Sequence, residues 1–215
     1  MVKNDVYTEG SSSTKSSMTK EQFTHFWAKN YPEIPPINHL FKHYLKDRWL
    51  RIHSLPEAKR YAETEAEWSI LLARQNVVFS DLMPKNAKIC IVSGIYSTEG
   101  KVFEKEIFDT LPYFKTLIFK ELEALDMFKL SKDWYDEGIK FTPCFAEEMY
   151  APNRFDSILK SIANDAWRLF FWDPKSNRII APYDGGVDII FESEGPLSIF
   201  RKKYENWLSE RADGL

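Results

Sequence analysis

Only two cysteines, Cys90 and Cys144, occur in the 215 residues, and they lie far apart in apolar contexts. That pattern fits reduced, buried thiols rather than a disulfide framework or a cysteine-based metal motif, and a cytoplasmic location is expected. No apolar run approaches the length of a membrane span, and the N-terminus lacks the hydrophobic core of a signal peptide, so no membrane partner is expected. Neither sign of charge dominates, with 29 Lys and Arg against 32 Asp and Glu. A formal net charge of −3 provides no global field to attract nucleic acid, which leaves any anion site to a local patch. The sequence has no phosphate-cradling glycine loop, no nucleophile elbow and no Cys–His signature. No catalytic residue, metal or cofactor is therefore assigned, and no internal repeat is found.

What is present is a hydrophobic share of 44%, a charged share of 28% and an aromatic share of 15% that includes seven tryptophans. This balance belongs to one globular domain with a sizeable core in which rings carry much of the packing. Residues 1–17, which include TEGSSSTKSS, are polar and small and cannot bury enough surface to offset the entropy of ordering them. They are expected to form a disordered tail, with one α+β domain over 18–215.

Thr19-x-x-Gln22 reads as a capping box that opens a helix with Phe23, Phe26 and Trp27 on one face. Pro36 can begin a second short helix carrying Leu40, Phe41, Tyr44 and Leu45. Thr64-x-x-Glu67 is another capping box, followed by helical spacing of Trp68, Leu71, Leu72, Gln75, Val78, Phe79 and Leu82 until Pro84. The run KICIVSGI over 88–95 has the length and β-branched content of a central strand, and its Gly94 suggests a bulge or a close approach to the backbone. Residues 101–130 are assigned helix. Residues 139–150 are assigned a strand, with Pro143 implying a bulge or an edge, and a helix follows through Ile158, Leu159 and Ile162. Strands over 167–172, 178–182 and 187–192 make a β-meander, in which Asp184-Gly185-Gly186 is expected to supply positive φ for the last tight turn. A final amphipathic helix carries Leu197, Phe200, Tyr204, Trp207 and Leu208. The expected fold class is α+β, with a mainly antiparallel sheet shared by the 48–55 strand, the 89–95 strand and the meander.

The segment DRWLRIHSLPEAKRY, residues 47–61, concentrates function-bearing side chains. If Arg48–Leu55 is a strand, Leu50 and Ile52 face the core and Trp49, Arg51 and His53 face the other way. Lys59 and Arg60 follow the break at Pro56, so four basic side chains and one histidine fall within thirteen residues. Asp188 sits inside an apolar strand, where a buried carboxylate needs a cation, and Arg48 or Arg51 is the expected partner. Asp184 is read as the first turn residue. His39 and His43 stand at i and i+4, as a zinc pair would require, but with no third ligand evident they are read as structural or solvent-exposed.

The segment RW-x-R-x-HSLP-x-x-KRY, the glutamate-rich helix start after it and the late YDGG-x-D-II hairpin resemble an uncharacterised family of small bacterial proteins, a domain of unknown function. The resemblance spans about residues 20–215, over which helical and strand patterning runs. It implies a bacterial, cytoplasmic, single-domain protein, and such proteins are associated with toxin–immunity neighbourhoods.

The expected function is a non-catalytic protein-binding domain of the immunity type, with another protein as partner and an exposed aromatic and acidic surface. The alternative is an enzyme acting on a phosphorylated or carboxylated small molecule, with Arg48, Arg51 and Lys59 on the anion and His53 as general acid or base in a concave pocket. A third reading makes the cluster purely structural, with its charges satisfied internally. The candidate residues are Arg48, Trp49, Arg51, His53, Lys59, Arg60, Asp184 and Asp188.

Overall fold

A computed structural model of the chain describes residues 17–99, 101–102, 113–211 and 214. In chain order the elements are α1 (Lys20–Asn30), α2 (Phe41–Tyr44), β1 (Trp49–His53), α3 (Glu65–Leu82), β2 (Lys88–Thr98), β3 (Lys101–Val102), β4 (Lys120–Glu121) and β5 (Leu125–Asp126). Then come α4 (Met127–Leu130), β6 (Lys140–Met149), α5 (Asp156–Ala163), β7 (Phe170–Asp173), β8 (Arg178–Tyr183), β9 (Gly186–Ile190) and α6 (Glu194–Lys203). Both expected capping boxes form, at Thr19 with Gln22 and at Thr64 with Glu67, and each satisfies backbone N–H groups that a helix start leaves unpaired. The first helix buries a narrower seam than its sequence suggests. Phe23 and Trp27 are buried whereas Phe26 is 41% exposed.

All nine described strands belong to one sheet, in the order β1-β9-β8-β7-β2-β6-β4, with β3 on β2 and β5 on β6. Every pairing is antiparallel. The last three strands form the expected meander, and β1 docks on its outer side. This is an α+β domain, as the strand spacing implied.

Strand alternation splits the core in two. Leu50, Ile52, Ile89, Ile91, Phe171, Ile180 and Val187 share one face with Val78 and Phe79 of α3 and Leu159 of α5. Cys90, Val92, Phe145, Phe170, Trp172, Ile179 and Ile190 share the other with Phe23 and Trp27 of α1 and with Phe41. The interior strands β7 and β9 are buried along their whole length, and their sequences FFWD and GVDII are accordingly non-polar apart from Asp173 and Asp188. Both cysteines are free and buried. Among the described residues no helix is long and apolar enough to cross a membrane.

Three local expectations change. The first is the helix assigned to 101–130. Its described part holds β3, β4, β5, α4 and a 3-10 turn at Phe114–Thr116, while 103–112 lie outside the described residues. Leu117 and Phe119 pack inward with Ile118 between them 83% exposed, and this period of two is that of an extended chain. The second concerns Pro143, which pairs with Gly94 with no break in the β2–β6 register. The interruption falls on the opposite side of β6, where Pro143 accepts from the Leu122 N–H and pairing shifts register between β4 and β5. Proline has no N–H to donate on that side.

The third is the glycine turn. Among the described residues only Gly138 and Gly214 are glycines with positive φ, so Gly185 and Gly186 are not there for left-handed backbone. Gly186 is required by space, because a Cβ on it would lie 2.0 Å from the Ile52 carbonyl oxygen. Gly94 is similar: its missing Cβ leaves room for the Phe141 ring. Of the expected tail, residues 1–16 lie outside the described residues, and Ser17 donates a hydrogen bond of 2.5 Å to Glu147.

Gly186→Ala should destabilise the fold by about 3 kcal/mol, since backbone rather than a flexible side chain must move. Gly195→Ala, whose nearest outside atom would be the Ser193 hydroxyl at 3.9 Å, is the control and should be near neutral. Urea denaturation of both variants checks this, and equal midpoints would refute the steric account.

Candidate functional site

Strand β1 carries the expected alternation, with Leu50 and Ile52 buried and Trp49, Arg51 and His53 half-buried on the other face. Arg51 stands directly opposite Asp188 in the β1–β9 register. Its Nε donates to Oδ1 at 2.7 Å and its Nη2 to Oδ2 at 2.8 Å, a two-bond pair whose side chains are 14% and 7% exposed. The guanidinium also lies 4.4 Å from the Tyr183 ring centroid and 5.4 Å from that of Trp49. Burial pulls the Arg51 pKa down, but the hydrogen bond and charge of Asp188 outweigh it and raise it overall. Of the two partners weighed for Asp188, the register selects Arg51.

Arg48 does different work. It donates to the carbonyls of Asn30 at 3.3 Å and Glu192 at 3.4 Å and covers the Tyr31 ring, strapping the end of α1 to the end of β9. Lys59 pairs with Glu63 at 3.0 Å and Glu67 at 2.6 Å. Arg60 pairs with Asp184, which also accepts from the Tyr61 hydroxyl at 3.1 Å. His53 has its Nε2 enclosed without a hydrogen-bond partner among the described residues, while its carbonyl accepts from Arg74. Burial, then the charges of Arg51 and Arg74, lower its pKa. The eight candidates therefore resolve into separate local pairings. Arg51, Arg60, Asp184 and Asp188 border one small cavity of about 180 Å³. Arg48, His53 and Lys59 line neither it nor the larger cleft beside it.

That cleft, of about 520 Å³, opens where α2, β1, α6 and the C-terminal segment meet. Phe41 and Leu45 are buried four residues apart, so Lys42 and Lys46, also four apart, run along the flank of the same segment. Lys42, His43 and Lys46 form one wall, Trp49 and Arg51 the floor, and Arg201 contributes from α6. None of the described residues lining it is acidic. Lys42, Lys46 and Arg201 make no ion pair among the described residues, in contrast to Arg51, Lys59 and Arg60 of the 47–61 segment. The concavity thus surrounds Trp49 rather than His53, and its sign is opposite to that of the acidic surface expected from the sequence. Sequence reasoning missed Lys42, Lys46 and Arg201. The 42/46 spacing was visible, but nothing local says that Arg201 faces them across the fold.

His39 and His43 part company. His39 is held at 2.9 Å from the Tyr135 hydroxyl, and His43 packs edge-on against Trp134. Burial, then repulsion from Arg168, His43 and Lys42, pushes the His39 pKa down to about 4.

Fold and site together define a single α+β domain with an anion-complementary cleft at the β1 edge of its sheet. The family described as "Domain of unknown function (DUF3885)" matches residues 37–212, and the chain belongs to that family. No curated protein and no solved structure matches it.

Arg51→Ala and Asp188→Ala should each cost roughly 3 kcal/mol or more, because each leaves a largely buried charge without its partner. A double-mutant cycle should show strong coupling for Arg51 with Asp188 and near additivity for Arg48 with Asp188; additive losses in both would refute the pairing. Acid should also weaken the fold through His39. Between pH 6.5 and about 4 the unfolded chain binds a proton that the folded imidazole refuses, so stability falls as pH drops. The group should contribute roughly 2 kcal/mol less stability at pH 5 than at pH 7, and His39→Asn should remove that part of the difference in urea titrations. An unchanged acid dependence in the variant would show that His39 titrates normally.

Proposed function

We propose that the chain is a non-catalytic protein-binding domain of the immunity type, acting in the bacterial cytoplasm, and that it engages a partner carrying anionic groups at the Trp49 cleft. The observation that carries this reading is the unmatched charge there: Lys42, Lys46 and Arg201 converge on one concavity with no described acidic side chain lining it. Three cations that share one concavity and have no ion pair among the described residues repel and raise the free energy of the unbound protein, so a surface that opposes them gains both attraction and relief of repulsion. The non-catalytic character is supported by the fate of the 47–61 cluster, in which Arg51, Lys59 and Arg60 are paired with internal carboxylates and the Nε2 of His53 is enclosed. The free buried thiols support a reducing compartment, since burial pushes Cys144 up to about 12 and raises Cys90 as well, leaving both inert.

The test is a comparison of the wild-type chain with a Lys42→Glu, Lys46→Glu, Arg201→Glu variant as immobilised baits in host lysate, followed by titration of the captured protein in purified form. Lys46 and Arg201 are exposed and Lys42 half-buried, so the variant should melt within a few degrees of wild type. Wild type should retain a defined protein at 1:1 stoichiometry, and the variant should lose it. Retention that ignores the charge reversal, or turnover of anionic metabolites by wild type, would overturn the proposal.

A further inference from the structure

We propose that the Trp49 cleft contains a phosphomonoester subsite, built on the outward edge of Arg51 with Lys42, Lys46 and Arg201 around it. The inference rests on reading that cleft as the binding surface and adds the chemistry of the group it takes. Arg51 lines both cavities of this region, the one that holds Asp188 and the one that opens at Trp49. Asp188 occupies the Nε and one N–H of Nη2, leaving both N–H groups of Nη1 and the second of Nη2 without a partner among the described residues. A guanidinium has a second two-donor edge, Nη1 with Nη2, at an angle to the one Asp188 uses. The carboxylate and the rings of Tyr183 and Trp49 hold the group against rotation, so that second edge is oriented before any ligand arrives. Asp188 thus serves the fold and the subsite at once.

Stoichiometry of charge and acceptors decides between the oxyanions. A carboxylate brings one charge and two oxygens; seated on the Arg51 edge it would leave most of the charge of Lys42, Lys46 and Arg201 unopposed. A phosphomonoester carries about −1.5 to −2 at neutral pH and three terminal oxygens, enough to accept from a guanidinium edge and from surrounding cations together. The floor is the flat indole of Trp49, which provides an apolar surface for whatever bears the phosphate. A phosphorylated side chain of the partner and a free phosphate ester share this chemistry.

The full chain is titrated by calorimetry with inorganic phosphate, phosphoserine, malonate and a pentapeptide carrying either phosphoserine or glutamate at its centre, all at one ionic strength. Trp49→Phe identifies the part of any fluorescence change that belongs to the cleft. The phosphoserine peptide should bind at least tenfold tighter than its glutamate counterpart, and affinity should rise as the phosphate loses its second proton near pH 6. Lys42→Gln with Lys46→Gln, and separately Arg201→Gln, should each weaken phosphoserine binding several-fold without unfolding the chain. Arg51→Lys keeps the charge but not the fork and should weaken binding tenfold or more; because it also touches Asp188, the lysine and Arg201 variants carry the test should it fail to fold. Tighter binding of the peptide than of phosphoserine would assign the group to a protein side chain, and equal binding would assign it to a free ester; both support the subsite. Equal affinity for the glutamate peptide, or phosphate binding that survives all the variants, would overturn it. Loss of the protein partner on charge reversal together with no phosphate preference would sink the subsite alone and leave the protein-binding reading standing.

Discussion

The pair between Arg51 and Asp188 joins the first strand of the sheet to the last, across a sequence separation of 137 residues, and much of the molecule depends on it. Among the described strands β1 is an outer one, paired on one side only, with β9. A buried carboxylate in the middle of β9 would be costly alone, and a guanidinium on β1 answers it in the one register that also places Leu50 and Ile52 over the main core. A slip by one residue would reverse every side chain of β1, exposing Leu50 and Ile52 and burying Trp49 and His53. Charge pairing and apolar burial thus specify the same register independently.

Because the pair lies on the face opposite the main core, it also sets what that face can do. Toward the middle of the sheet this face is closed by the aromatic layer of Phe23, Trp27, Phe41 and Trp172, with Trp27 edge-on to Trp172 at 5.2 Å. Toward β1 the layer thins, and the cover passes from aromatic rings to the lysines of the α2 segment and the arginine of α6. The cleft lies where this aromatic cover gives out, and its lining brings Lys42, Lys46 and Arg201 together with Trp49 and Leu208. Charged side chains at an outer strand also discourage another strand from adding to it, which protects an edge that backbone pairing leaves open.

The distribution of cations follows a simple physical division. Those close in sequence to acids, or brought opposite them by hairpin register, are neutralised: Lys59 by the first turn of α3, Arg60 by the turn at Asp184, Arg51 by Asp188. Those assembled from separate elements, Lys42 and Lys46 with Arg201, remain unmatched among the described residues. A dense run of charge in the chain was therefore a guide to structure, and the uncommitted charge had to be sought elsewhere.

The sequence by itself determined the elements whose causes are local. Capping boxes at Thr19 and Thr64, the alternation of β1, the meander and the need for a cationic partner at Asp188 all follow from interactions within a few residues or from the cost of burying one group. Tertiary structure decided everything that required knowing what lies across a gap. Gly186 is glycine because β1 passes against it, not because its own backbone turns left-handed. Residues 101–130 lost their helical reading where the described part packs with a period of two against a core that the segment alone does not reveal. Arg51 rather than Arg48 took Asp188 because the register put one opposite and sent the other to the carbonyls of Asn30 and Glu192. The basic cleft was decided last and least locally, since Arg201 joins Lys42 and Lys46 only once the sheet and α6 have brought it to the same concavity.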